Sequence, residues 1–69
     1  MFYFVFARTI DIMHGNSQLA SSAYIVGPTP ERLPPEAAMD IETQWRRFNT
    51  VIGARHFKNK INKAGCWPQ

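Results

Sequence analysis

The sequence predicts an α+β fold: an N-terminal antiparallel β-hairpin packed against a long C-terminal helix, which breaks near Gly53 into a shorter basic helix. Three observations carry this expectation. Residues 1–13 are dense in Phe, Tyr, Val and Ile, the residue types that suit a pleated, half-buried surface. His14-Gly15-Asn16-Ser17 is a turn signal, with Gly15 and Asn16 both tolerant of positive φ. Ile41, Trp45, Phe48 and Ile52 then recur at steps of four, three and four, the spacing of one helix face.

In chain order, one expected domain over 1–69 divides into a hairpin (1–27), a proline-rich connector (28–35), a helical segment (35–64) and a tail (65–69). On the first strand Phe2, Phe4, Phe6, Ile10 and Ile12 share one face and form the expected core side; Tyr3, Val5, Ala7, Thr9, Asp11 and Met13 share a mixed one. In the returning strand, 23–26 reads clearly as β and 18–22 weakly. The small residues Ala20, Ser21, Ser22 and Ala23 leave room for a helix or a second chain to approach.

Four of the five prolines fall in 27–35, giving a stiff crossover from sheet to helix rather than a ligand for a proline-binding groove. Pro35 suits a first helical position with Glu36 behind it. Extending that helix past Gly53 would turn Phe57 and Ile61 away from Ile41, Trp45, Phe48 and Ile52. Glycine costs about 1 kcal/mol in a helix interior, so a break there is expected. The second helix then carries Ala54, Phe57, Ile61 and Ala64 on one side, and Gly65 ends it. The first helix is expected to lay Ile41, Trp45, Phe48 and Ile52 on the sheet face made by Phe2, Phe4, Phe6, Ile10 and Ile25. Trp67 is expected to fold back on the body or meet a partner.

The charges are sorted by sign. Glu36, Asp40 and Glu42 precede Arg46, Arg47, Arg55, Lys58, Lys60 and Lys63, and no acid follows Glu42. Six of the eight Lys and Arg residues thus lie in one window, on a chain of formal charge +3. Complementing the helix dipole explains an acid at the start and one or two terminal lysines, because that field fades beyond the last turn. It does not call for six cations. A solvated face kept soluble by charge is the plainest reading; a polyanion-binding face is the sharper one. On the sharper reading Arg46, Arg47, Arg55, Lys58, Lys60 and Lys63 contact phosphates, while Asn59 and Asn62 add hydrogen bonds.

Sixty-nine residues bury only about 60% of the surface that the unfolded chain exposes, so stability is marginal without help. Cys66 is the single cysteine and no Cys/His set has zinc spacing, which excludes an internal disulfide and leaves no expected metal or cofactor. A homodimer or a hetero-complex is the remaining remedy. A lone cysteine also points to a reducing, cytoplasmic setting. The apolar start is too short for a membrane span and lacks the basic flank of a secretory leader.

Catalytic constellations are lacking. Cys66 with His56 is the one thiol–imidazole combination, and Cys66 sits three residues from the end of the chain. His14 reads as a loop residue, and Asp40 and Glu42, two apart on a helix, do not face each other. A non-enzymatic binding protein is expected, with a basic C-terminal helix contacting DNA or RNA. Helix, glycine turn and basic helix share an outline with helix-turn-helix domains, but Asn49 stands where a small apolar residue belongs, and the proline-rich connector departs from the ribbon-helix-helix layout. No family is assigned. The alternative is a small interaction module, an adaptor or inhibitor such as phages and mobile elements carry, occupying an acidic protein surface through Trp45, Trp67, Tyr3, Tyr24 and the arginines.

Overall fold

The structure, a computed structural model, describes residues 1–15, 17–20, 22–34 and 42–68, with the side chains of Asp11, Met13 and His14 outside that description. Among the described residues it forms five antiparallel strands packed against one C-terminal helix, so the α+β class holds. The elements are β1 (Phe2–His14), β2 (Ser17–Ala20), β3 (Tyr24–Thr29), β4 (Thr43–Phe48), α1 (Val51–Ala64) and β5 (Cys66–Pro68).

Everything in the sheet is built on β1. The turn at Gly15, with φ 64°, closes the expected hairpin by pairing His14 with Ser17. The return strand is split: β2 pairs the distal half of β1, β3 pairs Phe2 to Phe6, and a break near Ala23 separates them. Phe4 pairs with Val26 on one edge and with Arg47 on the other, so β3 and β4 flank the same half of β1. β5 lies on the far side of β2. β3 pairs only with β1 among the described strands, and an edge position tolerates Pro28, which has no N–H to donate. At Gly27 a side chain is barred: φ is 132°, and a Cβ would stand 2.6 Å from the Phe2 carbonyl oxygen.

The long helix expected over 35–52 is overturned in its described part. Thr43–Phe48 is strand β4; Glu36, Asp40 and Ile41 lie outside the described residues. The three-residue step from Trp45 to Phe48 suits a helix, but in a strand an odd step puts the two rings on opposite faces, and each finds a partner there. Trp45 meets Phe4 edge-on at 5.7 Å, and Phe48 meets Phe57 at 5.4 Å. The unpaired edge of β1 thus supplies what a lone amphipathic helix would lack.

The expected break at Gly53 is not formed either. One uninterrupted helix starts at Val51, two residues before it. Thr50 caps that helix, its Oγ1 accepting from the Gly53 N–H at 3.1 Å. Gly53 therefore sits in the first turn, where a Cβ would press on Thr50 Oγ1 at 3.2 Å and on Phe48 Cδ2 at 3.4 Å. It makes room rather than ending anything. Replacing Thr50 with alanine is expected to lower stability by about 1 kcal/mol, read as a lower urea midpoint at unchanged slope.

The helix buries Ala54, Phe57 and Ile61, three of the four residues expected on that side; Ala64 is exposed. Gly65 ends it in the left-handed conformation (φ 70°), donating its N–H to the Ile61 carbonyl at 2.7 Å. Its own carbonyl accepts from the Ala20 N–H at 3.0 Å, which starts the presumed tail along β2 as strand β5. Trp67 folds back, 4% exposed, with its ring edge-on to Phe57 at 5.0 Å.

The sheet face that meets the helix is the reverse of the expected one. Val5 and Ala7 join Ala23, Ala54, Phe57, Ile61 and Trp67 in the core, with Tyr3, Ile25 and Phe48 packed around them. Alanines at 7, 23 and 54 let sheet and helix approach closely, as the small residues near 20–23 suggest. The other face is no less apolar. Phe4 and Phe6 are fully buried, and Tyr24 stacks on Phe6 at 5.5 Å. A sheet buried on both sides reads as a continuous apolar run, which is why alternation misassigns its inner face. Ile10, Ile12 and Ile52, placed in the expected core, are exposed. Among the described residues Thr9 is the buried polar one, and both its N–H and its hydroxyl donate to the Glu42 carbonyl at 2.7 Å.

Candidate functional site

Helix α1 presents its solvent side as a stripe. At about 100° per residue, Ile52, Arg55, His56, Asn59 and Lys63 fall within an arc of roughly 100°, opposite Ala54, Phe57 and Ile61. All five are exposed, Ile52 at 64%. Lys58 and Lys60 lie on opposite flanks, roughly 100° to either side of the stripe. Lys60 is exposed and Lys58 half-buried.

The two adjacent arginines of β4 part company, because neighbours in a strand face opposite ways. Arg46 points to the helix side, its guanidinium 4.5 Å from the centre of the Phe57 ring. That ring lies next to Lys60 around the helix, so Arg46 extends the Lys60 flank. Arg47 points to the other side, 4.7 Å above the Phe2 ring, and its Nη1 donates to the Arg32 carbonyl at 3.0 Å. Of the eight residues expected to act together, Arg47 lies on the opposite side of the sheet from α1.

Asn62 has a structural task. Its Oδ1 accepts from the Ala23 N–H at 2.7 Å and its Nδ2 donates to the Ala23 carbonyl at 3.5 Å, pinning the break between β2 and β3 to the helix. An open groove of about 230 Å³ lies beside it, lined by Ala20, Ser22, Ile61, Asn62 and Gly65 and by none of the cations. The side-chain amide of Asn59 is exposed and makes no hydrogen bond to another described residue.

No carboxylate among the described residues compensates the cations of this face. Among the described residues the one ion pair joins Arg8 to Glu42 at 3.2 Å, with both side chains more than half exposed. None of Arg46, Arg55, Lys58, Lys60 or Lys63 has a carboxylate partner among them. Ile52 is the member of the stripe that the expected break at Gly53 concealed. Once the helix runs unbroken from Val51, the spacing of seven residues from Ile52 to Asn59 places Ile52 with His56 and Asn59.

Cys66 is buried in β5, paired with Leu19, whereas His56 faces outward. The described residues hold no group of three His, Cys, Asp or Glu side chains arranged to grip a metal ion, and no helix among them is long and apolar enough to cross a membrane. No protein-family model matches the chain, and no curated protein or solved structure is significantly similar to it. The surface itself has to carry the functional reading.

Proposed function

We propose that this protein binds a polyanion, nucleic acid, through the outer face of α1 and Arg46, without catalysing a reaction. The supporting observation is the cluster of Arg46, Arg55, Lys58, Lys60 and Lys63 on the helix side with no described carboxylate to neutralise it. Phosphate oxygens would replace the missing acids, and release of condensed counterions would drive association.

The competing reading, an interaction module, draws its anchors from Trp45, Trp67, Tyr3, Tyr24 and the arginines. Trp67 is buried in the core and Trp45 half-buried against Phe4, so neither offers a partner an open ring. What remains for a protein partner or a second copy is the apolar surface of Ile10, Ile12 and Tyr24. Oligomerisation through it would add burial that a chain of this length needs, in a reducing compartment suited to an unpaired thiol.

A salt titration decides the matter. Nucleic-acid binding measured by fluorescence anisotropy should weaken steeply with salt, with a log–log slope of about −4 for four to five phosphate contacts. No binding at about 50 mM salt, or a slope near zero, would remove the proposal. Capture of a stoichiometric protein partner that survives nuclease treatment would favour the module instead.

A further inference from the structure

From polyanion binding by α1, we infer a narrower target: the major groove of B-form duplex DNA, with Arg55 and Asn59 reading base edges between two walls of phosphate. The arrangement of the face motivates this. A helix used only for charge could carry its lysines anywhere on the solvent side. Here the two flanks hold Lys58 on one side and Lys60 with Arg46 on the other, while the stripe between them holds Ile52, Arg55, His56 and Asn59, with Lys63 at its C-terminal end.

That order matches a groove in cross-section. A helix about 10–12 Å across enters a major groove about 12 Å wide, and its flanks then face the backbones of the two strands. The middle of its outer face meets the bases. Arg55 has the fork of donors that fits guanine O6 and N7, and Asn59 one turn later has the donor–acceptor pair that fits adenine N6 and N7. Ile52, about one turn before Arg55 and too exposed to serve the core, offers an apolar contact of the kind a thymine methyl makes. From Ile52 to Lys63 the helix rises about 16 Å, close to five base-pair steps.

The two asparagines separate the roles. Asn62 spends both ends of its amide on the Ala23 backbone, whereas the Asn59 amide has no partner among the described residues and points outward. Duplex RNA is a poorer fit, because its deep, narrow major groove does not admit a helix. A membrane surface is poorer too, since Ile52 is the one apolar side chain in the stripe.

The test is selection of the full chain's binding sites from a pool of random duplex DNA, followed by anisotropy on the enriched duplex, a scrambled duplex and the RNA duplex of the same sequence. A site of about four to five base pairs should emerge. Asn59→Ala should cost about tenfold on the enriched duplex and leave the scrambled one unchanged, relaxing preference at one position. Lys60→Ala should weaken both duplexes equally and lower the salt slope by about one. The RNA duplex should bind about tenfold or more weakly. If nothing is enriched while salt-dependent binding persists, base reading falls and polyanion binding stands. Tighter binding to the RNA duplex, or to phosphatidylserine vesicles, overturns the DNA assignment. Loss of all binding at low salt brings down both.

Discussion

Phe57→Ala is expected to abolish cooperative folding at 25 °C. Phe57 is the residue on which β4 and β5 converge: the Phe48 ring of β4 at 5.4 Å, the Arg46 guanidinium of the same strand at 4.5 Å, and the Trp67 ring of β5 at 5.0 Å. Truncating a buried phenylalanine costs about 3–5 kcal/mol, part transfer free energy and part unfilled cavity. The edge-on pairing with Trp67 adds to the loss, since such contacts exceed their area burial by about 0.5–1.5 kcal/mol. Folded domains have only about 5–15 kcal/mol in hand, and one of this size belongs near the bottom of that range. Urea unfolding followed by circular dichroism reads the result. A cooperative transition with a midpoint near that of the parent chain would mean that β4 and β5 are held by something other than this ring.

Reversing three charges on the outer face should leave the fold intact and remove nucleic-acid binding. Arg55→Glu, Lys60→Glu and Lys63→Glu combined alters only exposed side chains, and none of the three has a described carboxylate partner to lose. Each change withdraws an attraction to phosphate and installs a repulsion. Exposed charges interact by about 1 kcal/mol at contact in water, so the triple variant should lose at least about a hundredfold in affinity at low salt. Its salt slope should flatten toward zero. Arg47→Ala is the matched control: Arg47 sits on the opposite side of the sheet over Phe2, and its removal should change affinity by about twofold or less. An equal loss from Arg47→Ala would move the binding surface to the aromatic face of the sheet. A triple variant that still binds would separate the basic helix from function altogether.

The arginine pair shows where the sequence stops being informative. In a helix, Arg46 and Arg47 would lie about 100° apart and could serve one ligand; in a strand they diverge to opposite faces. Which applies depends on whether 43–48 finds an edge to pair with, and that edge belongs to β1, some forty residues earlier in the chain. The same dependence hides Trp67. Its neighbours Gly65 and Pro68 read as an exit from structure, and it becomes core because the Gly65 carbonyl meets the Ala20 N–H. Gly53 is a third case: the same residue can end a helix or relieve crowding in its first turn, and the nearness of Phe48 selects the second.

What the sequence by itself determined are the features governed by local chemistry. They are the aromatic strand at the start, the turn at Gly15, the helical face of Ala54, Phe57 and Ile61, its end at Gly65, and the excess of positive charge after Glu42. Each follows from side-chain periodicity, positive-φ glycine or charge count, and none needs a distant partner. Only the tertiary structure decided that 43–48 is a strand, that Val5 and Ala7 rather than Phe4 and Phe6 face the helix, and that Arg47 leaves the basic face. Those outcomes turn on strand pairing and two-sided burial, where the free energy lies in contacts between residues far apart in the chain.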